Sequence, residues 1–191
     1  MIVAGLDYSM TSPAICLYND VDGDFTYSNC RVYFLTQTKK YDIVLRNGFG
    51  KLFEFRDDMD RYEKISNFFI ERILEKDVHT VFIENYSMGS KGRVFNIAEN
   101  TGILKYRLWK YGIGFETVPP TVIKKFATGK GNADKEKMQT AFFAESNIDL
   151  KFELNMTEKQ WNPSSDIIDA YWICKDGYNK IRSEENEKSR R

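Results

Sequence analysis

Four acidic residues stand where they could do metal-assisted chemistry. Asp7 closes the apolar run Ile2 to Leu6, and Glu84 closes the run Val78 to Ile83, so each reads as a carboxylate at the C-terminal end of a buried strand. Asp166 and Asp169 are three residues apart in an apolar stretch that includes Ile167, Ile168, Ala170, Tyr171, Trp172, Ile173 and Cys174, which puts both on one face of one helix. Parallel neighbouring strands lie roughly 5 Å apart, so two strand-ending acids at the same sheet edge repel one another unless a cation compensates them. Oxygen donors without histidine or thiolate suit Mg²⁺ or Mn²⁺. Two such ions can activate water and stabilise both oxygens of an in-line phosphodiester hydrolysis, with no covalent nucleophile. Structural readings stay open beside this one. Helix caps and edge positions also use carboxylates, and Asp166 at a helix start can serve the helix dipole. Asp169 is harder to account for that way, because an acid one turn into a buried helix needs a partner, and no Lys or Arg occurs from Trp161 to Cys174.

The elements that must carry these acids follow from the pattern. Ile2–Leu6, Ala14–Tyr18 and Cys30–Thr36 read as an antiparallel meander, with a polar turn at 19–24. The stretch 41–55, holding Gly48 and Gly50, receives no firm structure. A helix is predicted over Asp57–Lys76 from the stripe Tyr62, Ile65, Phe69 and Ile73. After the strand ending at Glu84 comes a polar loop. A helix over Arg93–Lys110 follows, with Ile97, Thr101, Leu104 and Leu108 on one side and Gly102 inside it, where a close helix contact would explain the glycine. Ile113–Val118 is a strand, and Pro119-Pro120 ends it and opens a short helix through Phe126. A glycine loop at 128–133 precedes a helix over Asp134–Glu145, with Asp134 as its cap. The last helix begins near Ser164 and runs to about Lys180. Antiparallel strands first and crossover helices afterwards give an α/β fold with a mixed central sheet flanked by helices. Residues 1–182 read as one domain and 183–191 as a charged, flexible C-terminal tail.

Composition narrows the function classes. The 191 residues carry 28 basic and 28 acidic side chains, so net charge gives no sign of a polyanionic partner. The bases are nevertheless concentrated in the middle of the chain: Lys91 and Arg93, then Lys124, Lys125, Lys130, Lys135 and Lys137. Such a run is more often a solvated face than a binding surface, and DNA phosphate contact is its functional reading. Cys16, Cys30 and Cys174 have no paired spacing, and with the single histidine, His79, they leave no basis for a zinc site. Cys16 and Cys174 read as small buried hydrophobes, and His79 as a surface or satisfied side chain. There is no signal-peptide pattern and no run approaching roughly 18 apolar residues, so a cytoplasmic, non-membrane protein without an organic cofactor is expected.

The motifs resemble those of the RuvC family of Holliday junction resolvases, in particular its phage-type relatives, over Ile2 to Cys174. Gly5-Leu6-Asp7-Tyr8-Ser9 is similar to the family's first-strand aspartate motif, and Phe82-Ile83-Glu84-Asn85-Tyr86 to its strand-ending glutamate. Val118 to Lys125, leading to Thr128-Gly129-Lys130-Gly131-Asn132-Ala133-Asp134-Lys135, resembles the block of helix, glycine loop and lysine. Asp166-Ile167-Ile168-Asp169-Ala170 resembles the terminal Asp-x-x-Asp-Ala. The resemblance implies a ribonuclease H-like fold and a crossover junction endodeoxyribonuclease that uses Mg²⁺ or Mn²⁺, two ions per site, on Holliday junctions and other branched DNA. Asp7, Glu84, Asp166 and Asp169 would be the metal ligands. Lys135, and beside it Lys130, would approach the phosphate, while Tyr86 would meet unstacked bases. It also implies a homodimer, with the helix from Arg93 to Leu108 at the interface, acting in the cytoplasm or, for a phage gene, the host's. A nuclease on RNA–DNA hybrid and a catalytically silent branched-DNA-binding protein are the alternatives. Three departures stand out: Tyr8-Ser9 replaces the usual Pro-Gly, Thr11-Ser12 replaces Thr-Gly, and Tyr171-Trp172 replaces small aliphatics, the last implying different packing behind the site.

Overall fold

The computed structural model describes residues 1–85 and 94–189. At its centre lies β1 (Ile2–Asp7), which pairs antiparallel with β2 (Ala14–Asn19) on one side. On the other side β1 runs parallel to β6 (Thr80–Glu84), and β6 runs parallel to β7 (Gly114–Val118). Beyond β2 comes antiparallel β3 (Cys30–Thr36). The expected mixed sheet of antiparallel then parallel strands is therefore present.

Strand alternation divides the core. Leu6, Ile15, Leu35, Val81 and Ile83 point to one face, where α1 (Asp58–Glu75) and α2 (Val94–Lys110) cover them. The predicted stripe of α1 is real: Tyr62, Ile65, Phe69 and Ile73 are all fully buried, and Asp57 caps the helix by accepting from the Asp60 amide. Val3, Cys16, Phe34 and Phe82 point to the other face, against α6 (Ser164–Lys188). There α3 (Pro120–Thr128) and α4 (Lys135–Ser146) pack beside α6. Tyr171 of α6 is fully buried among Tyr27, Phe142 and Trp172, an aromatic cluster that fills the space small aliphatics would leave open. Cys16, Cys30 and Cys174 are free and buried in this same layer. His79 is satisfied, its Nδ1 accepting from the Ile2 amide.

Three expectations need correction. The stretch 41–55 is ordered: β4 (Val44–Leu45) and β5 (Gly48–Leu52) extend the sheet past β3, giving the order β4-β5-β3-β2-β1-β6-β7. The two glycines that suggested a break are what allows this strand. A Cβ at Gly48 would lie 1.6 Å from the Val32 carbonyl oxygen, and one at Gly50 2.2 Å from the Phe34 ring, so β5 can approach β3 only without side chains there. Second, α6 continues to Lys188, well past Lys180, because the charged residues beyond are good helix formers and Arg182 pairs with Glu185 one turn on. Third, Gly102 makes no close contact among the described residues: a Cβ there would meet none of them within 4 Å. The mixed stretch 146–161 contains one turn, α5 (Leu150–Glu153), capped by Asp149.

Candidate active site

Register and alternation bring the strand acids together. In the parallel pair, Gly5 faces Phe82 and Leu6 faces Ile83, so Asp7 and Glu84 end adjacent strands at one edge. Both share the sheet face of Val3 and Phe82, the face that α6 covers. The helix comes very close there. A Cβ on Gly5 would lie 2.1 Å from the Cys174 amide nitrogen, and one on Gly177 2.2 Å from the Phe82 ring. This crossing sets the first turns of α6, with Asp166 and Asp169, over the ends of β1 and β6. Asp7 and Asp166 are buried at 7% and 6% exposure, while Glu84 and Asp169 are half-buried.

Electrostatics records the crowding. Burial pushes Asp7 well above the usual carboxylate range, and the neighbouring acids Asp166, Glu84 and Asp169 push it further. Asp166 is raised by burial, against the opposing pull of Ser12, Asp7 and Lys135. Burial takes Glu84 to about 7 in spite of Lys124. Asp169 reaches about 8, through burial first and then the charges of Glu84 and Asp166, opposed by Lys135 and Lys124. Among the described residues, no ion pair includes any of these acids. The helix-dipole reading of Asp166 keeps its place, since this residue lies in the first turn of α6. It leaves the other three acids unaccounted for.

A cavity of about 510 Å³ opens over the site, and Asp7, Glu84, Asp169, Lys124, Lys135 and Trp161 are part of its lining. Of the lysines expected at DNA, Lys124 and Lys135 reach it. Lys135 donates from Nζ to Asn162 Oδ1 and Ser165 Oγ, both at 3.2 Å. Lys125 and Lys130 are exposed on α3 and in the loop after it, outside the cavity lining. Lys137 is turned to its own cap residue, with Nζ 2.9 Å from Asp134 Oδ2. Tyr86, Lys91 and Arg93 lie outside the described residues.

Sequence reasoning missed two side chains. Ser12 Oγ donates to Asp166 Oδ2, and Asn162 Nδ2 donates to the same oxygen at 2.6 Å. Asn162 stands four residues before Asp166, a spacing visible in the sequence once Asp166 is under suspicion. The contact with Ser12 spans 150 residues and leaves no local signature.

The donor set fits a hard divalent cation in its chemistry: oxygen-only, buried, and short of positive charge. As placed, however, no group of three or more acidic, histidine or cysteine side chains among the described residues has an arrangement that could hold a metal ion.

No family model matches the sequence, and no curated protein matches it either. Among solved structures, the chain is similar to Thermus thermophilus RuvC, with 16% identity over 91% of each chain and a TM-score of 0.58. With T. thermophilus RuvC in complex with Holliday junction substrate the TM-score is 0.61, again at 16% identity, over 91% of this chain and 90% of that one. The Fowlpox virus Holliday junction resolvase aligns over 96% of this chain and 99% of its own, at 13% identity and a TM-score of 0.50. At these identities the likeness establishes the fold, which is the ribonuclease H-like fold in its RuvC form.

Proposed function

We propose that this chain, sharing the fold of RuvC, is a divalent-metal-dependent endonuclease that hydrolyses DNA phosphodiesters at Holliday junctions and other branched DNA: a crossover junction endodeoxyribonuclease. The observation that carries the reading is the set of four acids from β1, β6 and α6, two buried and two half-buried, gathered under a cavity with two lysines in its wall. T. thermophilus RuvC, with this fold, has been solved with a Holliday junction, and that supports the substrate class.

Asp7, Glu84, Asp166 and Asp169 would hold Mg²⁺ or Mn²⁺, two ions per site, which when bound supply an activated water and a counter-charge for the phosphoryl oxygens. The rest belongs to the chain. Lys135 and Lys124 offer ammonium groups to a phosphate entering the cavity, and Lys135 is the one set to offset the charge that develops during hydrolysis. Lys125, Lys130 and Lys137 would hold flanking phosphates, and Tyr86, Lys91 and Arg93, which follow β6 in the sequence, would be further DNA contacts. The cavity wall is apolar at Ile97, Met138 and Trp161, which limits water around the reacting bond. Two copies would act together on two strands. Phe95, Tyr106 and Trp109 are exposed on α2 at spacings that share one face with Gly102, and this face supports a homodimer. No helix among the described residues is long and apolar enough to cross a membrane, and we assign the activity to the cytoplasm.

The test is cleavage of labelled four-way, three-way and linear duplexes, with an RNA–DNA hybrid alongside, in Mg²⁺ or Mn²⁺. Preferential cutting of the branched forms is expected. Equal cutting of linear duplex, or preference for the hybrid, by folded and metal-loaded protein overturns the substrate assignment. Binding of junctions without cutting in either metal identifies a silent branched-DNA-binding protein instead.

A further inference from the structure

We propose that Asn162 and Ser12 are positioning residues: their side chains form a bridge that fixes Asp166 and Lys135 relative to one another at the edge of the acid set. The inference rests on the nuclease reading above and names which neutral groups set its geometry.

The bridge follows from three contacts of a single amide. Asn162 Nδ2 donates to Asp166 Oδ2 and to Ser12 Oγ, each at 2.6 Å, and Asn162 Oδ1 accepts from Lys135 Nζ at 3.2 Å. A carboxylate accepts only and an ammonium donates only, so a side chain between them must offer a donor at one end and an acceptor at the other. An amide does this without net charge. The orientation of the amide is therefore dictated by its neighbours, and Asn162 could not turn over without facing a donor with a donor. Ser12, 4% exposed, completes the arrangement: its hydroxyl donates to Asp166 Oδ2 while accepting from Asn162. A glycine in its place would leave that lobe of the carboxylate with one donor fewer.

Two consequences follow. With Oδ2 of Asp166 taken by two donors, Oδ1 is the oxygen left for the other acids and for a cation. Lys135, meanwhile, is held by Asn162 Oδ1 and Ser165 Oγ and forms no ion pair with Asp166 or Asp169 among the described residues. Its charge stays available to a phosphate in the cavity instead of being neutralised by the acids beside it. Groups that orient a ligating carboxylate in this way typically affect metal affinity or activity by roughly 10–100-fold.

The experiment compares the parent with Asn162→Ala, Ser12→Ala and Ser12→Thr. Mn²⁺ affinity is measured by calorimetry on protein without DNA, and kcat and KM on a four-way junction. Asn162→Ala is expected to weaken Mn²⁺ binding about tenfold and to lower kcat about tenfold, with KM within about twofold of the parent. Ser12→Ala should lose Mn²⁺ affinity in the same direction, and Ser12→Thr, which keeps the hydroxyl, should recover most of that loss. Parent-like Mn²⁺ affinity and kcat in both alanine variants overturn the assignment. So does a rise in KM alone in Asn162→Ala, the mark of a DNA contact and not of positioning. If Asn162→Ala fails to fold, the Ser12 pair decides. A parent that binds Mn²⁺ but cuts no DNA refutes the nuclease reading, while the affinity order of the variants still judges the bridge. A parent that cuts branched DNA alongside an unaffected Asn162→Ala does the opposite.

Discussion

Four carboxylates in one buried site are a liability in the absence of cations, and the liability has a sign. Glu84 and Asp169 bind their protons up to about 7 and 8 in the folded chain, against ordinary values of 4.5 and 3.8. Between those limits the folded state holds more protons than the unfolded one, so stability falls as pH rises. The contribution is fully present below about pH 4 and is lost through pH 7 to 8. Metal-free protein is therefore expected to lose roughly 5 °C or more in Tm between pH 5 and pH 9, followed by thermal denaturation in EDTA. Asp169→Asn should flatten that fall and lower cleavage by roughly 100-fold or more. A Tm that is level or rising across this range in the parent sinks the account of crowded acids. These four residues were legible in the sequence because each follows a strand or sits on an apolar helix face, signals contained in a few neighbours. The polar shell was not: Ser12 meets Asp166 across 154 residues, and only the fold brings them together.

At the level of elements, the site depends on how closely α6 lies on β1. Gly5 is the point of contact, and the obstacle to any side chain there is backbone, at Cys174 and Ala170. Backbone cannot rotate aside as a side chain can. Gly5→Ala is therefore expected to destabilise by roughly 3 kcal/mol or more in urea denaturation, and to reduce cleavage by the folded fraction as Asp166 and Asp169 move away from Asp7. Gly48→Ala makes the comparison: its clash with the Val32 carbonyl loosens β5 at the far side of the sheet, so stability drops while the folded fraction still cuts. Equal loss of cleavage in both variants would show that the α6 crossing has no special role. Strand and helix order could be read from periodicity, down to the stripe of α1 and the Asp134 cap of α4. The strand β5 could not, since a glycine read alone signals a break, whereas here it permits a neighbour to come near. The end of α6 was misjudged for a related reason: loss of apolar periodicity marks where a helix leaves the core, not where it stops.

Across the whole molecule, 28 basic and 28 acidic side chains cancel. A chain of zero net charge has little long-range attraction for DNA, so binding should rest on the lysines at and around the cavity. If Lys124, Lys125, Lys130 and Lys135 meet phosphates, log affinity for a junction in Ca²⁺ should fall with log salt at a slope of about −3.6, a loss of roughly 150-fold from about 50 to about 200 mM. A slope near zero, measured by anisotropy, would remove the lysine rim from the binding surface. The outward face of α2 makes a separate prediction. Tyr106 and Trp109 are 59% and 71% exposed; if two copies pair through this face as proposed, the parent sediments as a dimer and replacing both residues by Glu yields a 22.4 kDa monomer, with four-way junctions then nicked on one strand at a time. A parent that already sediments as a monomer overturns the dimer, and a dimer that survives both substitutions moves the interface elsewhere. The seating of α6 on β1 also bears on synthesis. A ribosome releases Asp7 with the first strand and Asp169 only after every strand of the sheet, so a nascent chain cannot assemble the acid set before α6 has emerged and docked at Gly5. If the chain is the nuclease proposed above, it could not cut DNA while still being made, and a product ending before α6 would lack half of the acid set.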